Sequence, residues 1–393
     1  MRRYLAPSVL AACLVIAVVM WVLKPIPHGH RYDLGVQLTL VLTLMWLLFQ
    51  ASAGWVFKKG LLVFILALSL GLAASNTAAI NPNSEIVRSY GTVFEAIDGG
   101  LNPYSSGTIL HLSESGNPVY GNFNYPPMEI YPYYLAYRLS GSWNSAVLTA
   151  AIILIHALCC LVFTRMFPAI RLVYLVPYFL FFIFSEIKTN PSMTFLITAS
   201  ILWLIRRDRT KPGQASRYLI AVLFGLGLAT KFLIIPFMAA YYWHKFDPKK
   251  LRSLASIAVD CGIAVATAVL VTAPFGVSAV FRNTILFNLA LRERATLTTF
   301  YPNVLSGPLE WLGLGGIYPV AAVIILGLTV LAAPKLRLFT AMLAAGTAFL
   351  LVAATPEPQF LPTMLFLVVT ARCLAIEEEG PIPPQVWKRL PSG

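Results

Sequence analysis

Residues 217–243 read "RYLIAVLFGLGLATKFLIIPFMAAYYW". The run is apolar almost throughout, with Lys231 near its middle. A helix crossing the hydrocarbon core of a bilayer needs about 20 residues. The stretch can therefore be one long tilted helix broken near Lys231. It can equally be two short helices, 217–230 and 232–243, folded as a hairpin that reaches partway in. The choice fixes whether the chain crosses the membrane an even or an odd number of times, and so the side on which every later segment lies.

Working outward, apolar runs of near-spanning length recur along the whole chain. They fall at 5–24, 33–52, 61–79, 145–164, 170–186, 191–206, 252–273, 316–333, 337–354 and 359–374. With two short helices at 217–243 the count is about twelve, and both termini share one side. Placing the termini in the cytoplasm puts 20 of the 29 basic residues on the inner side and nine on the outer. That asymmetry is what the positive-inside rule requires. A single span at 217–243 would move segment 274–315 inside and Lys335 and Arg337 outside. The two-helix reading is therefore preferred.

Composition agrees. Hydrophobic residues make up 58% of the 393-residue chain and charged residues 11%, against about 25% charged in a soluble protein. The expected fold is an all-α polytopic membrane bundle, a single transmembrane domain over 1–393. Two long polar segments, 80–143 and 274–315, lie outside the cytoplasm, and 375–393 forms a cytoplasmic tail. The first apolar run has no small-residue cleavage site before Pro25 and is read as a retained helix.

The net charge of +13 does not imply nucleic acid, because the basic residues sit in short loops between apolar runs. The five cysteines lie within or beside those runs, with neither a disulfide nor a metal spacing. His28 and His30 are too few for a metal site. No metal or cofactor is expected. His156 reads as a packed histidine and Asp260 as the partner of a basic neighbour.

The chemistry concentrates in 80–143. Asn81 and Pro82 suit a helix start, and Gly99 and Gly100 suit its end. Ile86, Val87, Tyr90, Val93, Phe94 and Ile97 share one face, to lie on the membrane or the bundle. Glu85, Arg88, Thr92 and Glu95 share the other. Glu85 in the first turn is favoured as a carboxylate by the helix dipole. It reads either as part of a solvated face or as a general base. Asp98, at the opposite end, is the alternative base. Next come "GGLNPY" (99–104) and "NYPPMEIYPYYLAYRL" (124–139). The tyrosines at 120, 125, 131, 133, 134 and 137 read as an interfacial belt or as a wall that stacks on a sugar.

These pieces together resemble the membrane glycosyltransferases of the C-type fold, and most closely glycosyltransferase family 87, the polyprenyl-phosphate-mannose-dependent mannosyltransferase-like proteins. The similarity rests on an acid opening a loop helix, then "GGLNPY", then "NYPP". It continues with "IKTNPSMTFLITASILWLIRRDRT" (187–210), "GLGLATKFLIIPFMAAYYW" (225–243) and "FYPNVLSGPLEWLG" (300–313). The order of the motifs carries it over most of 80–374. Glu85 stands where the family usually has Asp, and "TPEPQFLP" (355–362) replaces an aromatic, His-containing segment.

The resemblance implies an inverting transfer of a sugar from a polyprenyl-phosphate donor to a hydroxyl on a glycolipid or polysaccharide, at the outer face of the plasma or inner membrane. The sugar would be a hexose such as mannose, or a pentose. Glu85 would be the catalytic base. Lys231, Arg282, Arg292 and Arg294 would hold the donor phosphate. Arg88, Asn102, Tyr104, Tyr125, Glu129 and Asn303 would bind sugar or acceptor. A transporter or flippase for a lipid-linked saccharide is the alternative, because a broken helix at 217–243 suits one. A purely structural subunit leaves the loop of acids, tyrosines and prolines unexplained.

Overall fold

A computed structural model describes residues 85–112, 118–166, 189–210, 213–231, 233–247, 249–286, 309 and 312–352. The expected spans at 5–24, 33–52, 61–79, 170–186 and 359–374, and the tail, lie outside the described residues. The other expected spans are all helical. They are α3 (Ser145–Met166), α4 (Thr189–Thr210), α5 (Gln214–Leu228), α6 (Ile234–Lys245), α7 (Leu251–Thr272), α9 (Tyr318–Leu331) and α10 (Leu338–Val352). The loops contribute α1 (Glu85–Asp98), α2 (Ile130–Ser140) and the short α8 (Val277–Val280). Among the described residues one helix, Arg252–Phe275, is long and apolar enough to cross a membrane by length and composition.

The 217–243 question is settled by ring contacts. Phe224 of α5 lies 5.5 Å from the Tyr241 ring and 5.7 Å from that of Tyr242. The chain therefore turns back on itself, and α5 and α6 form an antiparallel hairpin. The turn is built locally. Ala229 N–H donates to Gly225 O, and the N–H groups of Thr230 and Lys231 both donate to Gly227 O. Thr230 Oγ1 donates to Leu226 O at 2.7 Å. Pro236 falls in the first turn of α6, where a missing N–H leaves no bond unmade. Gly227 lets Ile234 approach, since a Cβ there would stand 2.6 Å from Ile234 Cγ1. At 1.5 Å per residue the two arms, 15 and 12 residues, measure roughly 22 and 18 Å. A hydrocarbon core is about 30 Å thick, so each arm is shorter than such a core.

Polar side chains fix the base of the hairpin. Arg217 Nε lies 2.7 and 2.9 Å from the two oxygens of Asp260, the basic partner expected for that acid. Lys245 pairs with Asp208 at 3.7 Å, and the His244 ring meets Leu336 O at 3.0 Å. The basic residues of α4, of the 247–252 loop and of Lys335 and Arg337 thus share one end of the bundle. Along α9, Val320, Val323, Ile324, Leu328 and Leu331 are all exposed, and along α3 so are Leu154, Leu158 and Leu161. Apolar stripes of this extent at helical spacing fit a lipid surrounding.

The 80–143 segment folds at the opposite end. The apolar face of α1 was expected on the membrane or the bundle. It packs instead on its own loop: Tyr90 lies 5.5 Å from Phe123 and from Tyr133, and Phe94 4.8 Å from Trp143. Gly100, at φ +74°, closes α1, where a side chain would be strained. An element that the all-α expectation lacked is a two-stranded antiparallel hairpin. It pairs β1 (Ile109–Leu112) with β2 (Pro118–Gly121) in the register Ile109↔Gly121 to Leu112↔Pro118. Leu110 N–H donates to Thr92 Oγ1 at 3.0 Å and so anchors it to α1. Pro126 and Pro127 lead into a 3-10 turn, Pro127–Glu129, and then α2.

Both polar segments meet at this loop end. Asn102 Nδ2 donates to Phe275 O at 2.7 Å, Tyr131 OH to Val271 O at 2.8 Å, and Asn283 Nδ2 to Tyr104 O at 2.7 Å. Met128 N–H donates to Ala229 O at 3.0 Å, joining the 3-10 turn to the tip of the α5–α6 hairpin.

Candidate site at the tip of the helical hairpin

Lys231 occupies that tip, between α5 and α6, and is half-buried. Its ammonium lies 5.7 Å from the centroid of the Tyr125 ring, within the range at which an aromatic face attracts a cation. Tyr125 is held in turn: its carbonyl accepts from Tyr104 OH at 2.6 Å, and its ring meets Phe123 at 5.5 Å.

Glu129 stands at the end of the 3-10 turn, two residues before the Tyr131 anchor. It is 0% exposed, and neither carboxyl oxygen has a hydrogen-bond partner among the described residues. Burial pushes its carboxyl well above the usual carboxylate range, against the opposing pull of the Lys231 ammonium. Asn124 brings a second orphan, a buried Oδ1 without a partner among the described residues. Asn124 was not among the expected site residues, although it sits inside the quoted "NYPP". Its neighbours drew the attention because they carry rings or charge.

Several expected binding groups are engaged by the fold. Tyr104 is fully buried. Its phenol is raised well above the usual range by burial first, then by Tyr131 and Glu129. Asn102 uses its amide on Phe275 and its Oδ1 on the Tyr104 N–H at 2.9 Å. The tyrosines form neither a belt nor an open wall. Tyr133 is buried and Tyr131 bonds to Val271, while Tyr120 is exposed on β2.

Asp98 closes α1 and accepts from Tyr134 OH at 2.7 Å, Tyr137 OH at 2.9 Å and Arg138 at 3.1 Å. The two phenols and then the guanidinium hold its carboxyl below the ordinary aspartate range. It acts as a strut between α1 and α2. Glu85 is the first residue of α1, and its side chain lies outside the described residues, as does that of His156. Arg88 and Glu95 are exposed on α1, and Arg282 is exposed on a π-helical turn, Phe281–Leu286. Arg292, Arg294, Asn303, His28 and His30 lie outside the described residues. The structure therefore brings together Lys231, Tyr125 and Glu129 from the expected set, and adds Asn124 beside them in the chain. Among the described residues no cluster of His, Cys, Asp and Glu could hold a metal ion.

No protein-family model matches the chain, and no curated protein matches it. Among solved structures, ArnT from Cupriavidus metallidurans in the apo state is similar at a TM-score of 0.45 and 13% sequence identity. The similarity covers 84% of this chain and 61% of that one, so this chain spans less than two thirds of the length of ArnT.

Proposed function

We propose that the chain is an inverting membrane glycosyltransferase of the C-type kind. It transfers a sugar, a hexose such as mannose or a pentose, from a polyprenyl phosphate to a hydroxyl of a glycolipid or polysaccharide. The reaction occurs at the outer membrane face, on the side of the 80–143 loop, with the basic end of the bundle in the cytoplasm. The observation that carries this reading is Lys231: a half-buried cation on the turn between two short apolar helices, against the Tyr125 face of a polar loop. An ionisable residue within an apolar run marks a functional site. Its position suits the phosphate of a lipid whose chain lies in the bilayer.

In this reading the acceptor oxygen attacks the anomeric carbon as the bond to the phosphate oxygen breaks. The phosphate leaves with the electron pair, and the Lys231 ammonium offsets the charge that develops there. Glu85 takes the acceptor proton. Attack opposite the leaving group inverts the anomeric centre. A flippase reading draws on the same broken hairpin, and one experiment separates the two. The purified chain in liposomes is given a set of polyprenyl-phosphate sugars with total membrane glycolipid as acceptor. The expected result is release of polyprenyl phosphate together with a glycosylated product. Glu85→Gln is expected to lower turnover by about 10²–10⁴-fold, and Lys231→Ala to weaken donor use. Movement of intact lipid-linked saccharide across the bilayer, with no donor consumed, overturns the enzyme.

A further inference from the structure

Glu129, expected from the resemblance to bind sugar or acceptor, takes no part in that bond-making step, yet its environment is unusual. It has no exposure and no hydrogen bond to either oxygen among the described residues, and it sits one residue after the Met128 N–H that binds the hairpin tip at Ala229 O. A buried charge persists only beside a compensating one. The charge acting on Glu129 is the Lys231 ammonium. Among the described residues, the other titratable groups near it are the Tyr104 and Tyr131 phenols, both raised by burial and neutral at working pH. Helices α4 and α7 also pack on the 3-10 turn. Their described outer ends, 193–200 and 262–275, carry no ionisable side chain. Lys231 is thus shared between two claimants, the carboxylate already beside it and the phosphate it is proposed to hold.

We propose that Glu129 is a positioning residue acting through Lys231, so that binding of a lipid-borne phosphodiester at Lys231 is coupled to uptake of one proton from solvent by the Glu129 carboxylate. The inference rests on the donor-phosphate reading of Lys231. With the site empty, the ammonium compensates the acid. When a phosphodiester anion takes up that ammonium, Glu129 faces a second negative charge and loses its compensation, so it accepts a proton. When the lipid phosphate departs, the proton returns to solvent. By reciprocity, the phosphodiester binds more tightly as pH falls through the range in which Glu129 titrates, because the protonated form no longer competes for Lys231.

The probe is a short-chain prenyl methyl phosphodiester, whose single charge does not change between about pH 5 and 9. Its Kd is measured on the full chain in detergent, for wild type, Glu129→Gln and Lys231→Ala. The wild-type Kd is expected to rise with pH by up to about tenfold per unit above the ordinary carboxylate range. Glu129→Gln is expected to bind as tightly as acidified wild type at every pH. Glu129→Met, which also cannot titrate, replaces it if the glutamine variant does not fold. Calorimetry on the wild type in buffers of different ionisation enthalpy is expected to give uptake of up to about one proton per ligand within that range.

Uptake of no proton, or a wild-type pH slope retained in the neutral variants, overturns the coupling and leaves Lys231 as the phosphate site. Wild-type affinity in Lys231→Ala overturns the phosphate site itself. Equal binding of dimethyl phosphate overturns the lipid-borne source and leaves the proton linkage standing.

Discussion

Asp98 and Glu129 are two acids of one loop with opposite environments, and pH separates them. The Asp98 carboxyl is held below its ordinary value by Tyr134, Tyr137 and Arg138. Its contribution to stability is present above the unfolded value and lost as pH falls through the folded one. Glu129 is held well above its ordinary value by burial. Its contribution is present at acid pH and lost as pH rises through the folded value. In thermal melts, wild type is therefore expected to lose ground to Glu129→Gln as pH climbs from about 4.3, and to lose its advantage over Asp98→Asn as pH falls below about 3.9. A gap between wild type and Glu129→Gln that is constant across pH would show that Glu129 does not titrate in the fold. The sequence made both acids visible as candidates and could not grade them. Asp98 is engaged by a helix about 40 residues away, and Glu129 by a turn about 100 residues away, so neither environment exists in the local pattern.

At the scale of elements, the apolar runs located the helices well, because a lipid-facing helix needs an unbroken apolar surface. Hydropathy could not choose between one helix and a hairpin at 217–243, since both have the same composition. The choice lies in which residues meet, and in particular in Phe224 facing Tyr241. The β1–β2 hairpin was not legible either. Its strands are four residues long, and their position depends on the Thr92 hydroxyl. The hairpin of helices also depends on glycine. A Cβ on Gly225 would stand 2.6 Å from Thr267 Cβ and closer still to the Ala264 carbonyl oxygen. That contact is with backbone of α7, which cannot swing aside. Gly225→Ala is expected to destabilise the bundle by about 1–3 kcal/mol and to lower the melting temperature measured in detergent. An unchanged melting temperature would mean that α5 and α7 are not in close contact.

At the scale of the whole molecule, the described basic loops stand at one end and, at the other, the described parts of the two polar segments, which bond to each other. Tyr120, 66% exposed on β2, marks one end. Lys250, with its side chain 75% exposed, marks the other. Single cysteines at these two positions are expected to react with an impermeant maleimide from opposite faces of a sealed membrane, Tyr120→Cys from the outer and Lys250→Cys from the inner. Labelling of both from one face would break the bundle's polarity. That the described basic loops share one end was legible from the distribution of lysine and arginine along the chain. The joining of the two polar segments was not legible, because it rests on single side-chain bonds such as Asn102 to Phe275.

Those bonds also set a timetable. Asn102, Tyr131 and Tyr104 find their partners 173, 140 and 179 residues later in the chain. At ribosomal speeds of roughly 5–20 residues per second, the first loop is synthesised about 7 to 36 seconds before its dock has been made. During that interval α1 and its aromatic cluster must stand alone. The packing of Tyr90, Phe94, Tyr133 and Trp143 within one stretch of sixty residues lets the nascent loop do so, shielding its apolar face until the later helices arrive to receive it.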